Sequence, residues 1–153
     1  MKATVPADFT LRYEWHEGSV PPPYHYEYVI RLGPGPEGEV TFYPDYPQHD
    51  PPIWREPFTS QPSAVAGLYA LMAKVRMFTR RWQRAERQAI GGSVSWLQVQ
   101  AGQRVASVPA GLLPRDAEAI RPVYEAIRAL VPQPIWDKLM SQYAQVQSEH
   151  AER

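Results

Sequence analysis

The chain has 153 residues, 16 lysines plus arginines against 16 aspartates plus glutamates, and no cysteine. That length fits one domain, which should bury about 68–70% of its unfolded surface. The missing thiols exclude disulfides, zinc–thiolate sites, iron–sulfur clusters and cysteine nucleophiles.

The balanced charge argues against a dedicated nucleic-acid binder, and the 44% hydrophobic and 12% aromatic content argues against disorder. Proline is over-represented, with 17 residues against an average share of about 5%. These prolines cluster between periodic segments and imply stiff loops. The opening MKATVPADFT is too short and polar for a secretory leader, and no stretch approaches the roughly 18 apolar residues of a membrane span. A cytoplasmic protein is expected.

In chain order, Phe9, Leu11, Tyr13 and Trp15 alternate with Thr10, Arg12, Glu14 and His16. After a turn, Tyr24, Tyr26, Tyr28, Ile30 and Leu32 alternate with His25, Glu27, Val29 and Arg31. A period of two puts the aromatics on one buried face and the charges on the other. Val40 and Phe42 continue the alternation after the turn Gly33–Gly38, which predicts a three-strand meander over 9–43. Residues 44–57 hold five prolines and predict a long loop.

Ala64, Leu68, Leu71, Val75, Phe78, Trp82 and Ala85 recur at helical spacing and predict one long helix over 61–88. A second hairpin is expected over 93–108, turning at Ala101–Gly102. Over 114–147 the reading is a short turn at 114–120, a break at Pro122, a helix from about Arg121 to Val131, and a last helix from Pro134. The expected fold is therefore a single α+β domain over 1–153. It has a five-stranded antiparallel sheet, helices packed on its aromatic face, and two C-terminal helices.

The polar face of the first hairpin gathers Glu14, His16, His25 and Glu27, a low-specificity pattern that acid–base chemistry or a metal could use. Its meaning depends on register. If Glu14 faces His25, every charged pair is complementary and the face is self-satisfied. If His16 faces His25, two glutamates oppose each other and need a cation or proton. The first register is the expected one, with neither metal nor cofactor.

Arg76, Arg80, Arg84 and Arg87 stand four, four and three apart and would form an anion-binding stripe on the long helix, or simply its solvated side. In the proline-rich loop, His49, Asp50 and Trp54 could line a ligand site, with Asp45 and Tyr46 beside them, or the aromatics could plug the core. Pro21-Pro22-Pro23-Tyr24 resembles the PPxY motif bound by WW domains, but reads here as a turn.

No phosphate-binding glycine loop, nucleophile elbow or metalloprotease motif is present. The enzyme question stays open and leans negative. The expected function is a binding or regulatory module with a protein partner or self-association. The alternatives are a small enzyme using the Glu/His cluster, and anion or nucleic-acid binding through the arginine stripe. Membrane association is not expected, nucleic acid is disfavoured, and whether a small molecule binds is left open.

Overall fold

The computed structural model describes residues 4–18, 25–86 and 92–151. It is an α+β arrangement of six strands and three α-helices. The strands are β1 (Thr10–His16), β2 (Glu27–Leu32), β3 (Glu37–Tyr43), β4 (Trp54–Thr59), β5 (Val94–Ala101) and β6 (Arg104–Val108). The helices are α1 (Pro62–Lys74), α2 (Pro114–Leu130) and α3 (Gln133–Ala151). All neighbouring strands are antiparallel, in the order β4-β3-β2-β1-β5-β6. The chain builds outward from β1 to β4, crosses by α1, and adds β5 and β6 on the other side of β1.

The alternation of the first hairpin is realised. Leu11, Tyr13, Tyr28, Ile30, Leu32, Val40 and Phe42 are buried in one core with Leu68, Met72, Ile120, Ile127 and Leu139. Every helix places a ring against this aromatic face. Tyr69 of α1 meets Phe9, Tyr124 of α2 meets Tyr13, and Trp136 and Tyr143 of α3 meet Tyr28 and Phe42. Trp54, Phe42, Tyr26, Trp15 and Tyr28 form a continuous run of ring contacts across it.

The sheet has six strands, not five. The extra strand, β4, lies inside and just beyond the expected 44–57 loop, which otherwise contains a single 3₁₀ turn at Pro47–His49. Pro57 concealed it, because proline cannot donate to a ladder. β4 is an edge strand that pairs only with β3, so the missing donor costs nothing there.

The long helix is also shorter than the apolar periodicity implied, ending at Lys74 rather than near 88. It begins at Pro62 after Gln61. Ser60 is buried, and its Oγ donates to the Pro36 carbonyl at 2.9 Å. At the other end, the Met77 amide donates to the Met72 carbonyl at 2.9 Å and the Arg76 amide to the Ala73 carbonyl at 3.1 Å, with Arg76 at φ 58°. Together with the buried Met72–Met77 pair, this is a complete Schellman stop, with arginine where glycine is usual. Residues 87 and 88, the last of the expected helix, lie outside the described residues.

The expected break at Pro122 does not occur. α2 runs unbroken from Pro114 to Leu130. Ile120, Val123, Ile127 and Leu130 bury one face on both sides of the proline, whereas Pro122 itself is exposed. The apolar anchoring outweighs one lost hydrogen bond, and Glu118, whose carbonyl loses its partner, is an exposed residue. α3 starts one residue before Pro134, buries Leu139 and Tyr143, and continues through the polar tail to Ala151.

Candidate functional site

The face opposite the helices carries the charges, and its layout follows from a register outside both expected ones. β1 and β2 pair with His16 opposite Glu27, Glu14 opposite Val29, and Arg12 opposite Arg31. The ladder closes at Glu17, whose amide donates to the Tyr26 carbonyl at 3.0 Å. The parity, and so the sorting of faces, is unchanged; the partners are new.

This register still brings Glu14, His16, His25 and Glu27 together. Glu27 is only 6% exposed, and each of its oxygens meets an imidazole: Oε1 lies 3.1 Å from His16 Nδ1, and Oε2 lies 3.2 Å from His25 Nε2. His16 Nε2 lies 3.6 Å from Glu14 Oε1, and Arg12 Nη1 donates to Glu14 Oε2 at 3.4 Å. The result is a line of alternating basic and acidic side chains from Arg12 to His25. It is not a cage: among the described residues no three His, Asp or Glu side chains converge as a metal would require.

His25 is 3% exposed, and neither ring nitrogen meets hydrogen-bond geometry, although Nε2 is within ion-pair distance of Glu27. Its ring lies flat on Tyr46, with centroids 3.6 Å apart and planes 10° apart.

Tyr46 belongs to the proline-rich segment, which thereby covers the histidine end of the face. His49 contacts Tyr46 edge-on, and its Nδ1 lies 3.2 Å from Asp45 Oδ2. The suggested trio His49, Asp50 and Trp54 is not assembled. Asp50 is exposed, closing the 3₁₀ turn at φ 51°, and Trp54 lies on the other side of the sheet, stacked on Phe42. Trp54 is the core plug; Tyr46 and His49 serve the polar face.

The arginine stripe has no helix to sit on. Arg76 caps α1, Arg80 pairs with buried Asp116, Arg84 forms an isolated bridge with Leu112, and Arg87 lies outside the described residues, as does Pro21–Tyr24. Arg80 Nε and Nη2 donate to Asp116 Oδ1 at 3.1 and 2.9 Å, and the Gln83 amide donates to Oδ2 at 3.1 Å. Burial pushes the Asp116 carboxyl upward, but the Gln83 amide and the Arg80 guanidinium outweigh it and hold the group below its ordinary range. This pair fixes the segment after α1 to the first turn of α2.

A feature the register created lies further along the polar face. Arg12 and Arg31 oppose each other directly, and both line a groove of about 430 Å³ with Thr10, Gln98, Gln100 and Ser107. An adjoining depression of about 470 Å³ shares Arg12, Gln98 and Ser107 and adds Glu14, Trp82 and Trp96. Arg12 is held by Glu14. Arg31 has only a 3.4 Å hydrogen bond to Thr41 Oγ1, because Glu39, its cross-strand neighbour, is engaged by Thr41 and Arg55. Nothing in the residue pattern alone marked Arg31, since its partner is set by pairing.

No protein-family signature matches the chain, and no curated protein matches it. Among the described residues, no helix is long and apolar enough to cross a membrane.

Proposed function

We propose that the chain is a non-enzymatic binding module, set in the cytoplasm, that receives an acidic segment of a protein partner on the groove over β2, β1 and β5. The carrying observation is the direct opposition of Arg12 and Arg31 on the floor of that groove, with Arg31 lacking a carboxylate partner among the described residues. Like charges directly opposite each other cost sheet stability, whereas a carboxylate ligand would turn the pair into a bidentate receptor. Gln98, Gln100 and Ser107 supply neutral hydrogen-bonding groups beside it.

The test is an NMR titration with a hexaglutamate peptide at low and high salt. The expected result is saturable shifts at Arg12, Arg31, Gln98 and Ser107 that weaken with salt. Arg31→Gln should reduce binding while leaving stability equal or raised by about 0.2–1 kcal/mol, as relief of like-charge opposition requires. Binding that is unchanged in Arg31→Gln, or shifts confined to another surface, would refute the assignment.

A second reading, a small enzyme, draws on the way Glu27 is held between His16 and His25. A carboxylate shared by two imidazoles is an arrangement that can hold and pass a proton. Its test is turnover of an activated ester by the intact chain: activity that is lost in Glu27→Gln supports it, and absence of turnover removes its support.

A further inference from the structure

The line of basic and acidic side chains on the polar face ends in the arginine groove, because Glu14, which holds Arg12, also faces His16. We infer that His16 is a pH sensor for that groove. Its protonation draws on the Glu14 charge, leaves Arg12 less neutralised, and strengthens the hold on an acidic segment, a regulation that rests on the reading of the groove given above.

Buried Glu27 sets the state of the imidazole. Its oxygens lie 3.1 Å from His16 Nδ1 and 3.2 Å from His25 Nε2. A carboxylate only accepts, so it draws the single proton of a neutral His16 ring to Nδ1. Nε2 then turns a lone pair toward Glu14 Oε1. The 3.6 Å between them is longer than a hydrogen bond, as two facing acceptors require. In this form Glu14 directs its charge at Arg12 alone, through Oε2 at 3.4 Å.

A second proton enters at Nε2. The imidazolium then presents an N–H to each carboxylate, to Glu27 through Nδ1 and to Glu14 through Nε2. Glu14 is now shared between two cations, and Arg12 stands less neutralised opposite Arg31. The His16 side chain is 28% exposed, so water and protons reach it. Among the described residues it has no other ion-pair partner. On β5 it meets Trp96 edge-on and stands opposite Val94, neither of them charged. Toward β2 and β3, His25 and Tyr43 lie on the far side of Glu27. From the proline-rich segment, Asp45 and His49 pair with each other, with His49 touching the Tyr46 ring that covers His25.

The experiment is an NMR titration of the intact chain with hexaglutamate at pH 8, 7 and 6, where the peptide's own carboxylates stay ionised. The expected result is binding about two- to fivefold tighter at pH 6 than at pH 8, the range that one exposed ion pair supplies. The Arg12 Nε–Hε signal of the free protein should move in step with the His16 imidazole signals. His16→Gln should hold the affinity at its pH 8 level throughout and stop the Arg12 signal from moving. Glu14→Gln separates this relay from plain attraction by a new positive charge: it should bind tightly, and equally, at all three pH values. Affinity independent of pH in the unaltered chain, an Arg12 signal that ignores the imidazole, or a pH dependence that survives in Glu14→Gln or His16→Gln would overturn the inference and leave the groove as the binding surface. No binding at any of the three pH values would overturn both.

Discussion

Removing the Asp116 carboxylate should unfasten the segment after α1 from the start of α2. Asp116 is 2% exposed and accepts three hydrogen bonds, two from Arg80 and one from the Gln83 amide. Breaking a buried ion pair costs about 3–5 kcal/mol when the abandoned charge stays buried. Here the Arg80 side chain is 31% exposed and can rehydrate, and Gln83 is exposed, so the lower end applies. Loss of an acidic side chain from the first turn of α2 adds a few tenths. Asp116→Ala should therefore lose about 3 kcal/mol, or about 6–12 °C in Tm for a chain of this size.

Asp116→Asn keeps the volume and should lose less. The pH dependence separates charge from shape. A carboxyl whose folded pKa is depressed contributes stability that is fully present above its unfolded pKa, near 3.8, and is lost as pH falls through the folded value. The gap between the native chain and Asp116→Asn should hold from pH 7 to about pH 5 and close below about pH 4. Urea unfolding followed by circular dichroism at pH 7, 5 and 3 measures both. A cost under about 0.5 kcal/mol for Asp116→Ala, typical of plain surface positions, or a gap that persists unchanged in acid, would refute the reasoning.

Three further outcomes follow from backbone and burial. Arg76→Gly should raise stability by about 0.5–1 kcal/mol, because an L side chain at φ 58° is strained and the gain is partly offset by a freer unfolded chain; the urea midpoint reads it. Gly33→Ala should cost about 2–4 kcal/mol, since its Cβ would stand 2.3 Å from the Phe9 carbonyl oxygen at φ +83°, and wild-type stability in that variant would contradict the close approach. Burial raises Tyr13, Tyr28 and Tyr124 and pushes Tyr143 up to about 12, so folding stability should be level below about pH 9 and fall as pH climbs past the unfolded tyrosine value near 10. In a tyrosinate absorbance titration, these rings should ionise only together with alkaline unfolding.

Much of the candidate surface was legible in its chemistry but not in its pairings. Glu14, His16, His25 and Glu27 were marked by alternation alone, and they do meet. The arginines were misplaced because their spacing fits a helix that stops at Lys74. The stop is made by Arg76, and arginine carries no C-cap signal. Arg31 gave no sign, because it gains its meaning from a strand partner.

By itself, the sequence determined which residues face inward. A strand's period of two is a local property of the backbone, so Tyr13, Tyr28, Ile30 and Phe42 were assigned to the core without knowledge of their neighbours. It also determined the antiparallel meander, from alternation interrupted by runs of glycine and proline. The tertiary structure decided what local rules leave open. Register is one such choice: every two-residue shift preserves the faces while exchanging all partners. The fates of Pro57 and Pro122 are the others. An edge position excused the first, and a buried helix face outweighed the second. Each is a balance against contacts made by residues far away in the chain, which no local window contains.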